Sequence, residues 1–297
     1  MTSTTPEIHL TKRTVLKTHP RPNLSLISSF LRFDYQPSCD GTDSNLLILF
    51  HGLGDTSKPF FQLGCSFNLP QTAVLAIQAP ERVPLLEEEA WQWWDSFDAL
   101  GELIRNPNPS ATLHLLTKVL EHLTAPLSSS STSSPAALSS STATTGCGWL
   151  PSQIHLFGYQ QGGTLAGELA LSWARSKPSS SHLASLTAVS APLLSHPTLL
   201  SKAATKALLV YRKPEERGVG AGSWRKGFEA VREVKLEGGR GREGMPRGMD
   251  EWREVMRFWS ETLLRRTALE TDGDGDVYEI AGGMEAAKAA GAKPGVQ

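Results

Sequence analysis

The chain has 297 residues, 39% of them hydrophobic and 20% charged, and its 29 basic and 30 acidic side chains leave a formal net charge of -1. That length supplies one large domain or two small ones with ample material for a core. The charge balance leaves no global field to steer nucleic acid, and no run reaches the roughly 18 apolar residues of a spanning helix. Neither nucleic-acid binding nor integral membrane association is expected.

Cys39, Cys65 and Cys147 are odd in number and far apart. They make neither a disulfide framework nor a metal site, which suits a reducing compartment, and the cytoplasm is the expected location. Residues 1–33 are rich in Ser and Thr and carry Lys12, Arg13, Lys17, Arg21 and Arg32 against Glu7 alone. Two readings fit: a mitochondrial presequence, or an N-terminal arm over residues 1–44 that ends in an edge strand.

Residues 46–50 form an apolar run that stops at His51-Gly52-Leu53-Gly54-Asp55, and a second run follows at 73–77. The aromatic stretch Trp91-Gln92-Trp93-Trp94-Asp95 reads as a loop packed on the body, with its tryptophans either in the core or lining an acyl pocket. Residues 112–123 place Leu113, Leu116, Val119, Leu120 and Leu123 on one helical face. Residues 128–145 hold thirteen Ser or Thr among eighteen, too polar to offset the entropy of ordering, and are expected to form a disordered insert.

Strands are then predicted at 154–157, 183–189, 207–211 and 231–236, with a helix at 162–175 after the first of them. A further helix is predicted at 249–266, with Asp250 as N-cap, Arg265 and Arg266 at the C-terminal end, and Trp252, Val255, Met256, Trp259 and Leu263 on its apolar face. Residues 267–297 read as a flexible tail. Its Asp272-Gly273-Asp274-Gly275-Asp276 run fails as a calcium loop, because Val277 and Gly283 stand where glycine and glutamate are needed. The alternation of strands and helices predicts an α/β fold, a mostly parallel central sheet with helices on both faces, over residues 45–266.

Only one constellation carries chemistry. The strand at 154–157 runs into Gly158-Tyr159-Gln160-Gln161-Gly162-Gly163 and then a helix. That is the layout of a nucleophile elbow, G-x-S-x-G, in which a tight strand-to-helix turn thrusts one side chain above the sheet. Gly158 and Gly162 stand at the two glycine positions, but the centre holds Gln160, whose amide cannot become a nucleophile near neutral pH. The loop His51 to Asp55 is placed to supply half of an oxyanion hole. Its donors would be the N–H groups of Leu53 and Gln161.

On these residues the sequence resembles the phospholipase/carboxylesterase group of the α/β-hydrolase superfamily, which includes the acyl-protein thioesterases. The carriers are 48–50 running into His51 to Asp55, then Trp93-Trp94-Asp95, Gly158 to Gly163 against that family's G-F-S-Q-G-G, and Ala191-Pro192-Leu193 after a strand. The resemblance runs over residues 45–266 and implies an α/β-hydrolase fold, ester or thioester hydrolysis by a Ser-His-Asp triad, and no cofactor. The site it implies takes in His51, Gly52, Gly54, Asp55, Trp93, Trp94, Gly158, Tyr159, Gly162 and Gly163.

The triad itself does not carry over. Chain order in this fold is nucleophile, acid, His. Yet the histidines are His9, His19, His51, His114, His122, His155, His182 and His196, so none stands in the loop at 238–248 where the family places its base. The acid loop offers only Glu215 or Glu216. Losing nucleophile or base costs about 10⁶ in turnover, and losing both costs little more.

The expectation is therefore a non-catalytic homologue that binds an acyl-type small molecule or a protein partner. A working esterase with Ser190 or Cys65 as nucleophile, or with His155, His182 or His196 as relocated base, is the alternative. A vestigial pocket in an assembly protein is a third.

Overall fold

The computed structural model describes residues 9–13, 16–84, 86–98, 100–127, 146–177, 181–197, 202–212, 221–237, 244–267 and 277–281. Two compact units divide it, residues Thr18–Arg265 and the paired ends Met1–Lys17 with Arg266–Gln297. In the smaller unit β1 (His9–Arg13) pairs antiparallel with β11 (Val277–Ala281). The expected Ser/Thr insert, Glu215, Glu216 and the Asp272 to Asp276 run lie outside the described residues.

The larger unit is built on a seven-stranded sheet. Its strands are β2 (Phe33–Gln36), β3 (Asn45–Phe50), β4 (Thr72–Ile77), β7 (Ile154–Tyr159), β8 (Ser185–Val189), β9 (Lys206–Tyr211) and β10 (Val231–Lys235). They lie in the order β10-β9-β8-β7-β3-β4-β2, all parallel except β2 at the edge. Every residue of β3 and of β4 is buried. That is why these segments read as continuous apolar runs rather than alternating ones: a parallel sheet is covered on both faces.

The covering helices are α1 (Ser57–Ser66), α2 (Ser110–Thr124), α3 (Gln161–Ser176), α4 (Ala221–Gly227) and α5 (Gly248–Thr262). One core layer gathers α2 and α3 around Leu46, Ile48, Leu156 and Trp224, and the other gathers α1 and α5 around Leu47, Leu49, Phe157 and Trp259. Separately, β5 (Glu81–Arg82) and β6 (Trp91–Gln92) pair antiparallel as a two-residue-deep hairpin.

The edge strand expected within residues 1–44 is β2, paired with β4 at the end of the sheet, and the larger compact unit takes in residues from Thr18 on, with Leu24 and Leu31 buried and His19 stacked on Trp149 at 3.7 Å. One expectation is corrected: α5 starts at Gly248 and ends at Thr262, so Asp250 sits inside its first turn and Arg265 and Arg266 lie beyond its end. The reason is a long-range clamp. Asn45, fully buried at the start of β3, accepts from the Leu264 N–H at 2.8 Å and donates to the Leu264 carbonyl at 2.9 Å. The chain must leave the helix to make both bonds. On the apolar face Phe258 is buried where Met256 was expected, and Met256 is exposed.

Two histidines sit inside this core in neutral form. His155, on β7, contacts Ser185 Oγ at 2.7 Å and Asn45 Oδ1 at 3.3 Å, and burial pushes its pKa down to about 3. Burial likewise lowers His51 to about 4, against a smaller opposing effect of the Gly52 carbonyl. Both rings take up a proton on unfolding, at an unfolded value near 6.5, but resist it when folded. Stability is therefore full above pH ~6.5 and falls below it, by about 1.4 kcal/mol per pH unit for each ring. Urea unfolding should show the protein roughly 4 kcal/mol less stable at pH 5 than at pH 7, and His155→Gln should remove about half of that slope.

Candidate functional site

The site sits at the carboxyl ends of β3, β7 and β8, where an open parallel sheet leaves a crevice for ligands. At the end of β7 the backbone turns through Gln160 with φ 48° and ψ -113° and enters α3 directly. For a residue with a Cβ that conformation is strained by about 1–3 kcal/mol. It is held by the Gln160 N–H donating to Val189 at 2.8 Å and by the Thr164 N–H donating to the Gln160 carbonyl at 3.0 Å. The flanking glycines are required by space. A Cβ on Gly158 would collide with the Gly162 backbone, and one on Gly162 with the carbonyls of Phe50 and His51. The turn is thus the elbow that the G-x-x-x-G spacing predicts, with an amide at its tip.

Gln160 Nε2 donates to the Tyr159 hydroxyl at 2.8 Å. Tyr159 in turn packs under two loops: a Cβ on Gly52 would come within 2.9 Å of its ring, and one on Gly244 within 2.6 Å of its hydroxyl. Gly244 belongs to the loop before α5, the stretch in which the family's base would stand. That loop is anchored by Arg212, nearly fully buried at the end of β9. Arg212 pairs bidentately with Glu251 at 2.6 and 2.9 Å, and also donates to the Met245 carbonyl at 3.1 Å and the Glu237 carbonyl at 2.8 Å.

The opposite wall depends on Gln161 and Trp93. Gln161 Oε1 accepts from the Trp93 N–H at 2.8 Å, and its Nε2 donates to Ser96 Oγ at 2.9 Å. Trp93 Nε1 donates to the His51 carbonyl at 2.8 Å. His51 Nε2 accepts from the Ala79 N–H at 3.0 Å, so the ring proton sits on Nδ1 and is donated to the Gly52 carbonyl at 2.8 Å. This imidazole is a fixed strut of the loop and has no free nitrogen for base chemistry. His155 is enclosed within the sheet in the same sense.

Together these elements frame a cavity of about 450 Å³ whose walls include Leu53, Trp94, Gln160, Gln161, Thr164 and Ser190. Leu53 and Gln161 are among its lining residues, and their backbone N–H groups have no hydrogen-bond partner among the described residues. No histidine and no carboxylate stands in its described lining. Of the expected pocket residues, Trp94 lines the cavity, whereas Trp93 and His51 are core and Gly52, Gly158, Gly162 and Gly163 are packing positions beneath it. Asp55 neither lines the cavity nor caps α1, whose N-cap residue is Thr56, and burial raises its carboxyl pKa.

The structure also supplies residues that sequence reasoning passed over. Glu168 on α3, buried, accepts from the Leu194 and Ser195 N–H groups at 2.9 and 2.8 Å and so holds the wall after β8. Arg212 is another, and only its position between a strand and a glutamate-bearing helix could have hinted at it. Ser190, expected only as an outside nucleophile, also has positive φ (50°) beside Gln160.

The profile of the phospholipase/carboxylesterase family matches residues 38–212. The chain belongs to this family. It is 38% identical over 252 residues to an uncharacterized hydrolase of Mycosarcoma maydis, covering 83% of this chain and 87% of that one. A second uncharacterized hydrolase, from Schizosaccharomyces pombe, is 28% identical over 127 residues, 41% of this chain and 44% of the other. Among solved structures, the esterase PE8 superposes with a TM-score of 0.57 at 19% identity, covering 78% of this chain and 99% of that one. The acyl-protein thioesterase 2 of Zea mays gives 0.54 at 17%, covering 78% and 98%. The family is one of hydrolases of the carboxylesterase and thioesterase type, and these neighbours share its α/β-hydrolase fold. No helix among the described residues is long and apolar enough to cross a membrane.

Two substitutions test the construction. Gly162→Ala should unfold the protein or cost well over 3 kcal/mol, because the clash is with backbone that cannot move aside. Arg212→Met should cost about 3–5 kcal/mol by taking the guanidinium from Glu251, which keeps the Arg247 N–H at 2.6 Å, and adding Glu251→Leu should return part of it. Chemical denaturation of the single and double variants measures both.

Proposed function

We propose that the protein is a non-catalytic member of the phospholipase/carboxylesterase family that retains the cavity above the elbow as a binding site. The observation that carries this reading is Gln160 at the elbow's centre, with its amide engaged by Tyr159 and no histidine in the described cavity lining. A triad needs a nucleophile, a base within hydrogen-bond reach of it, and an acid to orient that base. At this site the first is an amide. The stretch that would hold the second, residues 238–248, contains no histidine.

What remains is the part of an esterase that recognises an acyl group: an open cavity lined by Leu53 and Gln161, whose backbone N–H groups have no partner among the described residues. An acyl-type small molecule is the ligand this geometry favours, and a protein partner's extended side chain is the other occupant it admits. The three free cysteines, including buried Cys147 with its thiol pushed up to about 11, suit a reducing compartment, and we place the protein in the cytoplasm.

A fluorophosphonate probe and a p-nitrophenyl ester assay test the reading together. The purified protein should be unlabelled, and its hydrolysis should stay within the roughly 10³–10⁴ over water that an oxyanion hole gives alone. Gln160→Ser should fold normally and remain as slow, since a serine without a base gains nothing. Labelling of the natural protein at Ser190, or turnover by Gln160→Ser at ordinary esterase rates, would overturn the proposal.

A further inference from the structure

The binding reading leaves open what the cavity prefers to bind, and its lining carries a sign. Along one side the wall is Leu103, Ile104 and Pro107, with Pro192 and Leu194 from the loop after β8 completing the apolar surface. Among the described lining residues the only charged side chain is Arg105. It is exposed at the rim and has no carboxylate partner among the described residues. An arginine left unpaired beside an apolar cavity is a solvated cation that a ligand's anionic head can engage bidentately.

Resting on the non-catalytic reading above, we infer that the cavity selects a carboxylic acid, an apolar body carrying one free carboxylate, over the corresponding neutral ester. Three features of the lining point this way. First, an ester brings no charge in its ground state, so a fixed cation beside the cavity gains nothing from it. Second, no carboxylate stands among the described lining residues, so an anion meets no repulsion from them on entering. Third, a single guanidinium balances one negative charge, which suits a monoanion and would leave a phosphate dianion half compensated. The size agrees as well, since about 450 Å³ lies within the range of small-molecule sites.

Ser96, Thr164 and Ser190 add hydroxyls to a wall that also carries the amides of Gln160 and Gln161. Thr164 Oγ1 is committed to the Pro192 carbonyl at 2.6 Å and holds the wall in place. In this account Arg105 is a ligand-contacting residue at the rim, and Leu194 defines the volume available to the apolar body.

Calorimetric titration of the full chain with decanoate, methyl decanoate and decanol, at low and at raised salt, decides the matter. Decanoate should bind roughly fivefold or more tightly than methyl decanoate, as a rim-exposed ion pair allows, and the advantage should shrink with salt. Arg105→Gln should abolish the advantage and leave methyl decanoate binding unchanged, whereas Leu194→Trp should weaken all three by filling the cavity. Equal affinity of acid and ester, an unchanged preference in Arg105→Gln, or binding of none of the three overturns this inference and leaves the non-catalytic reading to its own test. Hydrolysis of methyl decanoate during the titration overturns the non-catalytic reading instead.

Discussion

The arrangement at the top of the sheet depends on one close approach. The start of α3 lies so near the end of β3 that no side chain fits between Gly162 and the carbonyls of Phe50 and His51. This contact fixes the angle at which the chain leaves β7, and with it the left-handed turn at Gln160. From the same point the His51 carbonyl receives the Trp93 indole, and Gln161 receives the Trp93 backbone. A displaced α3 would therefore release the elbow, the His51 loop and the aromatic wall together.

Buried polar groups do the rest of the positioning, through hydrogen bonds that a low-dielectric interior strengthens. Asn45 ties the end of α5 to the start of β3, and Glu168 holds the loop after β8 by two N–H groups. Arg212 and Glu251 draw the end of β9, the end of β10 and the loop before α5 into one cluster. In a hydrolase of this fold the loops after these strands carry an acid and a base, the acid orienting the base. Here the described link between the end of β9 and α5 is the charge-assisted pair of Arg212 and Glu251, with Met245, next to Gly244, bonded to the same guanidinium.

The sheet strands were legible because a parallel sheet buried on both faces writes itself as short apolar runs, and residues 46–50 and 73–77 lie within β3 and β4. The elbow was legible because glycines are the only residues that fit at 158 and 162. What was hidden depends on partners far away in the chain. The end of α5 is set by Asn45, more than two hundred residues earlier, so local signals carried the helix on to Arg266 instead. The bounds of β2 were not legible because it has three half-buried residues and an exposed Gln36, and it gains its place by pairing with β4. Arg212 was passed over because nothing local announces that Glu251 will meet it. Helix α1 was missed for a related reason: its apolar residues follow the His51 loop without a cap, and its N-terminal Thr56 makes no side-chain bond.

A strained backbone at the centre of an elbow invites the conclusion that catalysis maintains it. The contacts around Gln160 argue for a different cause. The strain of about 1–3 kcal/mol is small beside the cost of separating α3 from β3, and relaxing φ at 160 would require that separation. The bonds from Gln160 to Val189 and from Thr164 to Gln160 are backbone bonds, indifferent to the side chain they flank. The turn is thus a property of the packing of β3, β7 and α3, and it survives any side chain at its tip that can tolerate positive φ. Chemistry, by contrast, rests on the side chains of three separate loops. Those can change one at a time while the cavity and its walls remain where the packing puts them.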